Sequence, residues 1–375
     1  MTKKSWFLSL ILIITAFSIF NSTVSMAFAP APKVNAVTLE QCLQMTPVQM
    51  AENSPMVQKS FAYLISTAHQ ISDNTLRAKV LDCLNNPAPT MMKLYPSNVQ
   101  KEDVKKKLVA AGYIKSDSMY DQFLPPCQDP NKTTQPFFSA PGSGYQSHHS
   151  YPGGLATHAA VNLQVAVTLF HAYQDVYGYQ VDKDVVIAAQ ILHDLAKPWV
   201  FQWQEDGSSL TEYPIAGTGA HHILGIAEAV YRELPGDVVV AIACAHTHPG
   251  SNEDEAQVVN WIKAACILTG KDPVKLGLLA ADGQTVPVPR KQEGFITHLG
   301  DHDFVFTVPA AKWMIAELSE IAKSEYGMSD ADLKGKKFNA FRNYLFSRVS
   351  AEYLHQVWVE NGRPGLVKVV KTMVK

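Results

Sequence analysis

Between positions 157 and 281 the chain alternates long apolar runs with short polar breaks, and the spacing inside the runs is helical. Apolar residues at three- and four-residue intervals predict helices over 157–177, 182–196, 219–234, 236–245 and 256–269. A sixth short run, 275–281, leads into Asp282. The run 185–196 is apolar on every side apart from Gln190, His193 and Asp194. A helix that is apolar all round is a buried helix. Upstream, 37–114 has helical periodicity broken by Pro47, Pro55, Pro87 and Pro96. The stretch 123–144, rich in Pro, Asn, Thr, Ser and Gly, reads as surface loop. Downstream, 310–374 again reads helical, and strand signals are confined to 286–288 and 304–308. The pattern predicts an all-α fold. A helical N-terminal region and loop (30–144) is followed by a bundle core (145–290) and a helical C-terminal region (291–375).

The first 29 residues stand outside that pattern. Lys3 and Lys4 precede an apolar stretch at 6–20, and small-residue sites follow at 25–27 and 27–29. This reads as a secretory signal peptide, which places the mature chain in the periplasm or outside the cell. The stretch is too short to favour a membrane span, so no span is expected after cleavage. An uncleaved anchor is the alternative. Export makes disulfides possible. Of the five cysteines, Cys244 and Cys266 sit in apolar helical runs and read as buried hydrophobes. Any disulfide is expected among Cys42, Cys83 and Cys127. A formal net charge of −2 shows no general attraction to nucleic acid or anionic membrane.

Burying an ionised carboxylate costs several kcal/mol unless it is paired or bound to metal. His193-Asp194 therefore needs a partner from elsewhere in the chain. Eleven of the thirteen histidines fall between His148 and His302. His158 opens one apolar helix, and His221 and His222 open another. His246 ends the run 238–245, and Asp282 ends the run 276–281. A single such case is a core histidine bonded to a backbone carbonyl. Five on successive helices predict convergence on one polar site. Imidazoles with carboxylates and no thiolate suit one or two divalent transition ions, Fe, Mn, Zn or Ni. Side chains one residue apart on a helix point about 100° apart, so His193 and Asp194 cannot grip one ion as a simple pair from one face. Asp194, with two oxygens, can bridge two ions.

His158, then His193-Asp194 with Leu195-Ala196-Lys197, then Asp282, resemble the H…HD…D signature of the HD-domain metal-dependent phosphohydrolases. His221-His222-Ile223-Leu224-Gly225 resembles the His-x-x-x-Gly segment of members with a second metal, and Ala245-His246-Thr247-His248-Pro249-Gly250 resembles their next histidine element. His148-His149-Ser150-Tyr151-Pro152-Gly153-Gly154-Leu155 through His158 is similar to the HH-x-YPGGL-x-x-H stretch of the exonuclease-like and nucleotide-hydrolysing branches. The resemblance implies an HD-domain helical bundle with metal held by His158, His193, Asp194, His221, His246 and Asp282, and with Asp194 bridging. It implies that Lys197 contacts a phosphate oxygen or metal-bound water, and that His148 and His149 face the substrate. Of each remaining pair, His222 and His248 serve the substrate or a supporting hydrogen bond.

The expected reaction is hydrolysis of a phosphomonoester or phosphodiester, of a nucleotide or related small molecule, by metal-activated water. Asp194 and Lys197 are the catalytic candidates. No stable nucleic-acid complex is expected, and the oligomeric state is open. Two rivals remain at this point: a di-iron oxygenase on the same fold, and a metal-containing binding or sensor protein. His298, Asp301, His302 and Asp303 read as solvated loop that can rim the pocket. Arg290 reads as a solvated surface arginine.

Overall fold

The computed structural model describes residues 36–375, so the expected signal segment lies outside the described residues. Helices dominate, as the periodicity predicts. The N-terminal region supplies α1 (Leu39–Gln44), α2 (Pro47–Glu52), α3 (Pro55–Ala68), α4 (Asn74–Asn85), α5 (Asn98–Ala110) and the single turn α6 (Tyr120–Phe123). Thr38, Thr46, Ser54 and Asp73 start the first four by accepting a backbone N–H, which satisfies a donor that the first turn cannot.

The site-bearing bundle follows as α7 (Gly154–Tyr177), α8 (Lys183–Leu192), the turn α9 (Lys197–Val200), α10 (Ala220–Tyr231), α11 (Gly236–Ala243), α12 (Asn252–Thr269) and α13 (Gln292–Gly300). Every residue of α8 from Val185 to Leu192 is buried, because α7, α11, α13, α3 and α4 all pack on it. Asp182 fixes its start by accepting from the N–H groups of Asp184 and Val185. A two-residue hairpin, Pro214–Ile215 against Thr218–Gly219, leads into α10 and is the only sheet among the described residues. The chain closes with α14 (Phe304–Tyr326) and α15 (Lys336–Met373), the latter interrupted at Ser350 and Gly362. These two helices form a second apolar cluster with Cys42, Met50 and Tyr151. No described helix is long and apolar enough to cross a membrane.

Several expectations need correction. The run 275–281 forms successive turns, not a helix: Pro273 opens them and Gly277 takes a left-handed φ of +68°. The strand signal at 304–308 is the first part of α14, where Thr307, Ala310, Ala311 and Met314 bury one face. The signal at 286–288 forms no strand. All five cysteines are free, so the disulfide expected among Cys42, Cys83 and Cys127 does not form.

The loop before α7 is folded back tightly. Gly142 N donates to His149 O, and a Cβ at Gly154 would come within 1.8 Å of that same carbonyl oxygen. Only a bare backbone fits there, and the close approach presses His148 and His149 onto the bundle. Replacing Gly154 with Ala should therefore cost about 1–3 kcal/mol of stability. A urea midpoint equal to that of the native chain would contradict this.

Candidate metal centre

Helix α8 ends at Leu192, and His193 and Asp194 lie in the irregular turn after it. His193 Nδ1 donates to Gln190 O at 2.8 Å, which turns Nε2 into the site. Freed from regular helix geometry, the adjacent side chains converge: His193 Nε2 is 3.2 Å from Asp194 Oδ2. The expectation that they could not share one ion is thus corrected.

His158, from the first turns of α7, places Nε2 at 3.1 Å from Asp194 Oδ2 and 3.2 Å from Asp301 Oδ1. Asp301 Oδ1 is also 3.2 Å from His193 Nε2. On the other side of Asp194, His221 Nε2 lies 3.7 Å from Oδ1, and His246 Nε2 lies 3.6 Å from Asp301 Oδ2. Two groups result, His158/His193/Asp301 and Asp194/His221/His246, each with ligand atoms within 4.8 Å of one another. Asp194 presents one oxygen to each group.

Asp282 does not reach this centre. It sits exposed in the turn after 275–281, where Oδ1 accepts from Gln284 N. Asp301, just past the end of α13, occupies the place expected for it, so the site extends beyond position 290. Arg290 is exposed at the surface, as expected, and forms a bidentate pair with the buried Glu255.

The chemistry of the donors fits a divalent metal. Asp194 Oδ1 is buried with no hydrogen bond and only His221, at 3.7 Å, near it, and Oδ2 is crowded by two imidazoles and Lys197, an arrangement that a divalent cation among the donors would satisfy. Burial opposes protonation of His193, yet Asp194 and Asp301 outweigh it and raise its pKa to about 9. Burial likewise disfavours ionisation of Asp194, but His193 and Lys197 hold its carboxyl well below the usual range. His246 is pushed down to about 4 by burial, against the pull of Asp301, so its lone pair is available at neutral pH.

Supporting residues orient these ligands. Glu212 Oε2 is 2.7 Å from His221 Nδ1, so that nitrogen carries the proton and Nε2 faces inward. Asp303 Oδ1 lies 3.3 Å from His158 Nδ1 and does the same for that ring. Lys197 bonds both Asp194 Oδ2 and Gly142 O, which ties the loop before α7 to the centre.

A cavity of about 240 Å³ opens over the centre, lined by Lys197, His148, His221, His246, His298 and Phe304 among others. His148 borders it, and the buried His149 sits behind, its Nδ1 3.1 Å from His148 Nδ1. His222 is not at the surface of this cavity. It is fully buried, stacked on His246 at 4.2 Å and edge-on to Trp261, so it supports His246 and cannot touch a substrate. His248 faces a neighbouring cavity. Sequence reasoning missed Glu212, Asp301 and Asp303 as site residues. Asp301 follows a stretch with apolar positions as Asp282 does, a signal that was present. Glu212 lies in an aperiodic stretch and gave none.

Asp301→Asn should release bound Mn²⁺ or Fe²⁺, whereas Asp282→Asn should retain the native metal content, as elemental analysis of folded protein would show. A proton held on His193 up to a pKa of about 9 competes with metal. Metal affinity should therefore rise between roughly pH 6 and 9, by up to about tenfold per unit for each proton displaced. Titrations showing affinity flat across that range would contradict the assignment.

Residues 157–271 match the family model described as HD domain. The match takes in His158, His193, Asp194, His221 and His246, and ends before both Asp282 and Asp301. The chain is also similar to dihydroneopterin 2′,3′-cyclic phosphate phosphodiesterase of Methanocaldococcus jannaschii, at 28% identity over 207 residues, covering 54% of this chain and 67% of the relative. No solved structure matches. The segment that supplies His158, His193, Asp194, His221 and His246 is thus the one that matches the HD domain.

Proposed function

We propose that the protein is a metal-dependent phosphodiesterase acting on a small cyclic or linear phosphoester related to nucleotides. The observation that carries this reading is the buried Asp194 carboxylate, one oxygen turned to each of two imidazole-bearing groups. The HD domain and the phosphodiesterase relative support phosphoester hydrolysis, and the relative's substrate suggests a 2′,3′-cyclic phosphate as the first to try.

His158, His193, Asp194 and Asp301 would hold one ion, and Asp194, His221 and His246 a second. Divalent metal bound there supplies a Lewis acid and lowers the pKa of a coordinated water. The chain itself does the positioning. Glu212 and the Gln190 carbonyl take the Nδ1 protons of His221 and His193, so each Nε2 is turned toward the metal position. Lys197, lining the cavity, sets a positive charge where negative charge grows on the phosphoryl group. His148 borders the same space and would approach the leaving oxygen.

We also propose that the protein acts outside the cytoplasm, on the strength of Lys3, Lys4, the apolar stretch 6–20 and the small residues at 25–29. The near-neutral net charge of −2 supports a small-molecule partner in preference to nucleic acid.

Metal-loaded protein should hydrolyse a nucleoside 2′,3′-cyclic phosphate to a monoester. Asp194→Asn should lose essentially all of that activity together with its metal. Lys197→Met should retain metal and lose about 10²–10³-fold in kcat. A loaded, folded protein that turns over no phosphomonoester or phosphodiester would overturn the reading.

A further inference from the structure

A second cavity, of about 270 Å³, lies beside the metal cavity, and His298 lines both. Its other walls are Tyr173, His248, Gln292, Phe295 and Leu299. Its character differs from that of the metal centre. The His248 ring lies over Phe295 at 5.7 Å with planes 30° apart, and meets His298 edge-on at 4.9 Å. The wall is thus aromatic and flat, with no carboxylate in it.

The polar atoms here are held in defined states. His248 Nδ1 accepts from Gly250 N at 3.1 Å, so its Nε2 carries the proton. His298 Nδ1 lies 3.0 Å from Ala245 O and donates to it, which leaves Nε2 as an acceptor. Gln292 brings an amide that both donates and accepts. Gly250 is needed for this arrangement: a Cβ there would meet the His248 ring at 2.6 Å and Phe295 at 3.3 Å.

Small-molecule sites commonly span about 300–1,000 Å³. Each cavity alone falls short of that range, and the two together fall within it. The metal cavity suits the phosphate. The second suits a planar ring with donors and acceptors on its edge.

We propose that the second cavity is the ring subsite of the substrate, a nitrogen heterocycle stacked on Phe295 and His248 and joined to the phosphate by a short hydroxyl-bearing linker that crosses His298. The proposal rests on the phosphoesterase reading of the metal centre and adds the substrate class. The linker hydroxyl would bond His298 Nε2, and Gln292 would read the ring edge. Phe304, which also lines the metal cavity, is the competing platform.

The test compares two probes on metal-loaded protein: adenosine 2′,3′-cyclic phosphate, and the ring-free glycerol 1,2-cyclic phosphate. Stacking on an aromatic side chain contributes about 1–3 kcal/mol per base, roughly 5- to 150-fold. Phe295→Ala should lower kcat/KM for the adenosine probe by about that factor, through KM, and leave the glycerol probe unchanged. Gln292→Ala, at the half-buried start of α13, should shift the same ratio without touching the stack. Metal content equal to that of the native protein shows that each variant is folded. Equal losses on both probes, no loss on either, or a loss confined to Phe304→Ala would overturn the ring subsite while leaving hydrolysis intact. Native protein that hydrolyses only the glycerol probe would overturn the ring subsite alone, and native protein that turns over no phosphoester, these two included, would overturn both proposals.

Discussion

The centre depends on two carboxylates, Asp194 and Asp301, that are buried among imidazoles. Neither could stay ionised there alone, since a buried charge is tolerated only with compensating charge or metal. Within the protein that compensation comes from His193, His158 and Lys197. The start of α7, the turn after α8 and the end of α13 meet at this point, because they supply His158, then His193, Asp194 and Lys197, and then Asp301. The packing of α8 on its neighbours is therefore both the core of the bundle and the means of holding donors at fixed separations. The rigidity that a metal site requires comes from the interior of the protein.

The second apolar cluster serves the same end less directly. Tyr151 belongs to it, packs edge-on against Phe346 of α15 and hydrogen-bonds Thr157 in the first turns of α7. The loop that carries His148 and His149 is thereby anchored from both sides: to α15 through Tyr151, and to Asp194 through Gly142 and Lys197. The N- and C-terminal helices, which carry no ligand, hold the loop that shapes the cavity.

Much of this was legible in the chain. The apolar runs located α7, α8 and α10 to α12 to within a few residues, since buried helices leave strong periodic signals. The histidines at the ends of those runs pointed to one site. What periodicity could not decide was which of two aspartates, Asp282 or Asp301, ends a helix aimed inward. Both follow apolar stretches. The difference lies in Pro273 and Gly277, which turn 275–281 into a series of turns, while 292–300 packs on α7, α8 and α11. Glu212 and Asp303 orient ligands from irregular backbone, and no local pattern marks such residues. The Phe-Val-Phe-Thr-Val sequence at 304–308 favours strand by composition, and tertiary burial of Thr307, Ala310 and Met314 decides for helix.

Helix α13 has one property that reaches beyond ligation. It bears His298 at the partition between the two cavities, and the chain delivers Asp301 only three residues later, about one helical turn away. Both reference points therefore ride on a single stiff segment and cannot move apart. With the ring subsite proposed above, this spacing would act as a ruler: compounds would be sorted by the length of the bridge between their two ends, and a bridge too short or too long would miss one mark whenever it met the other.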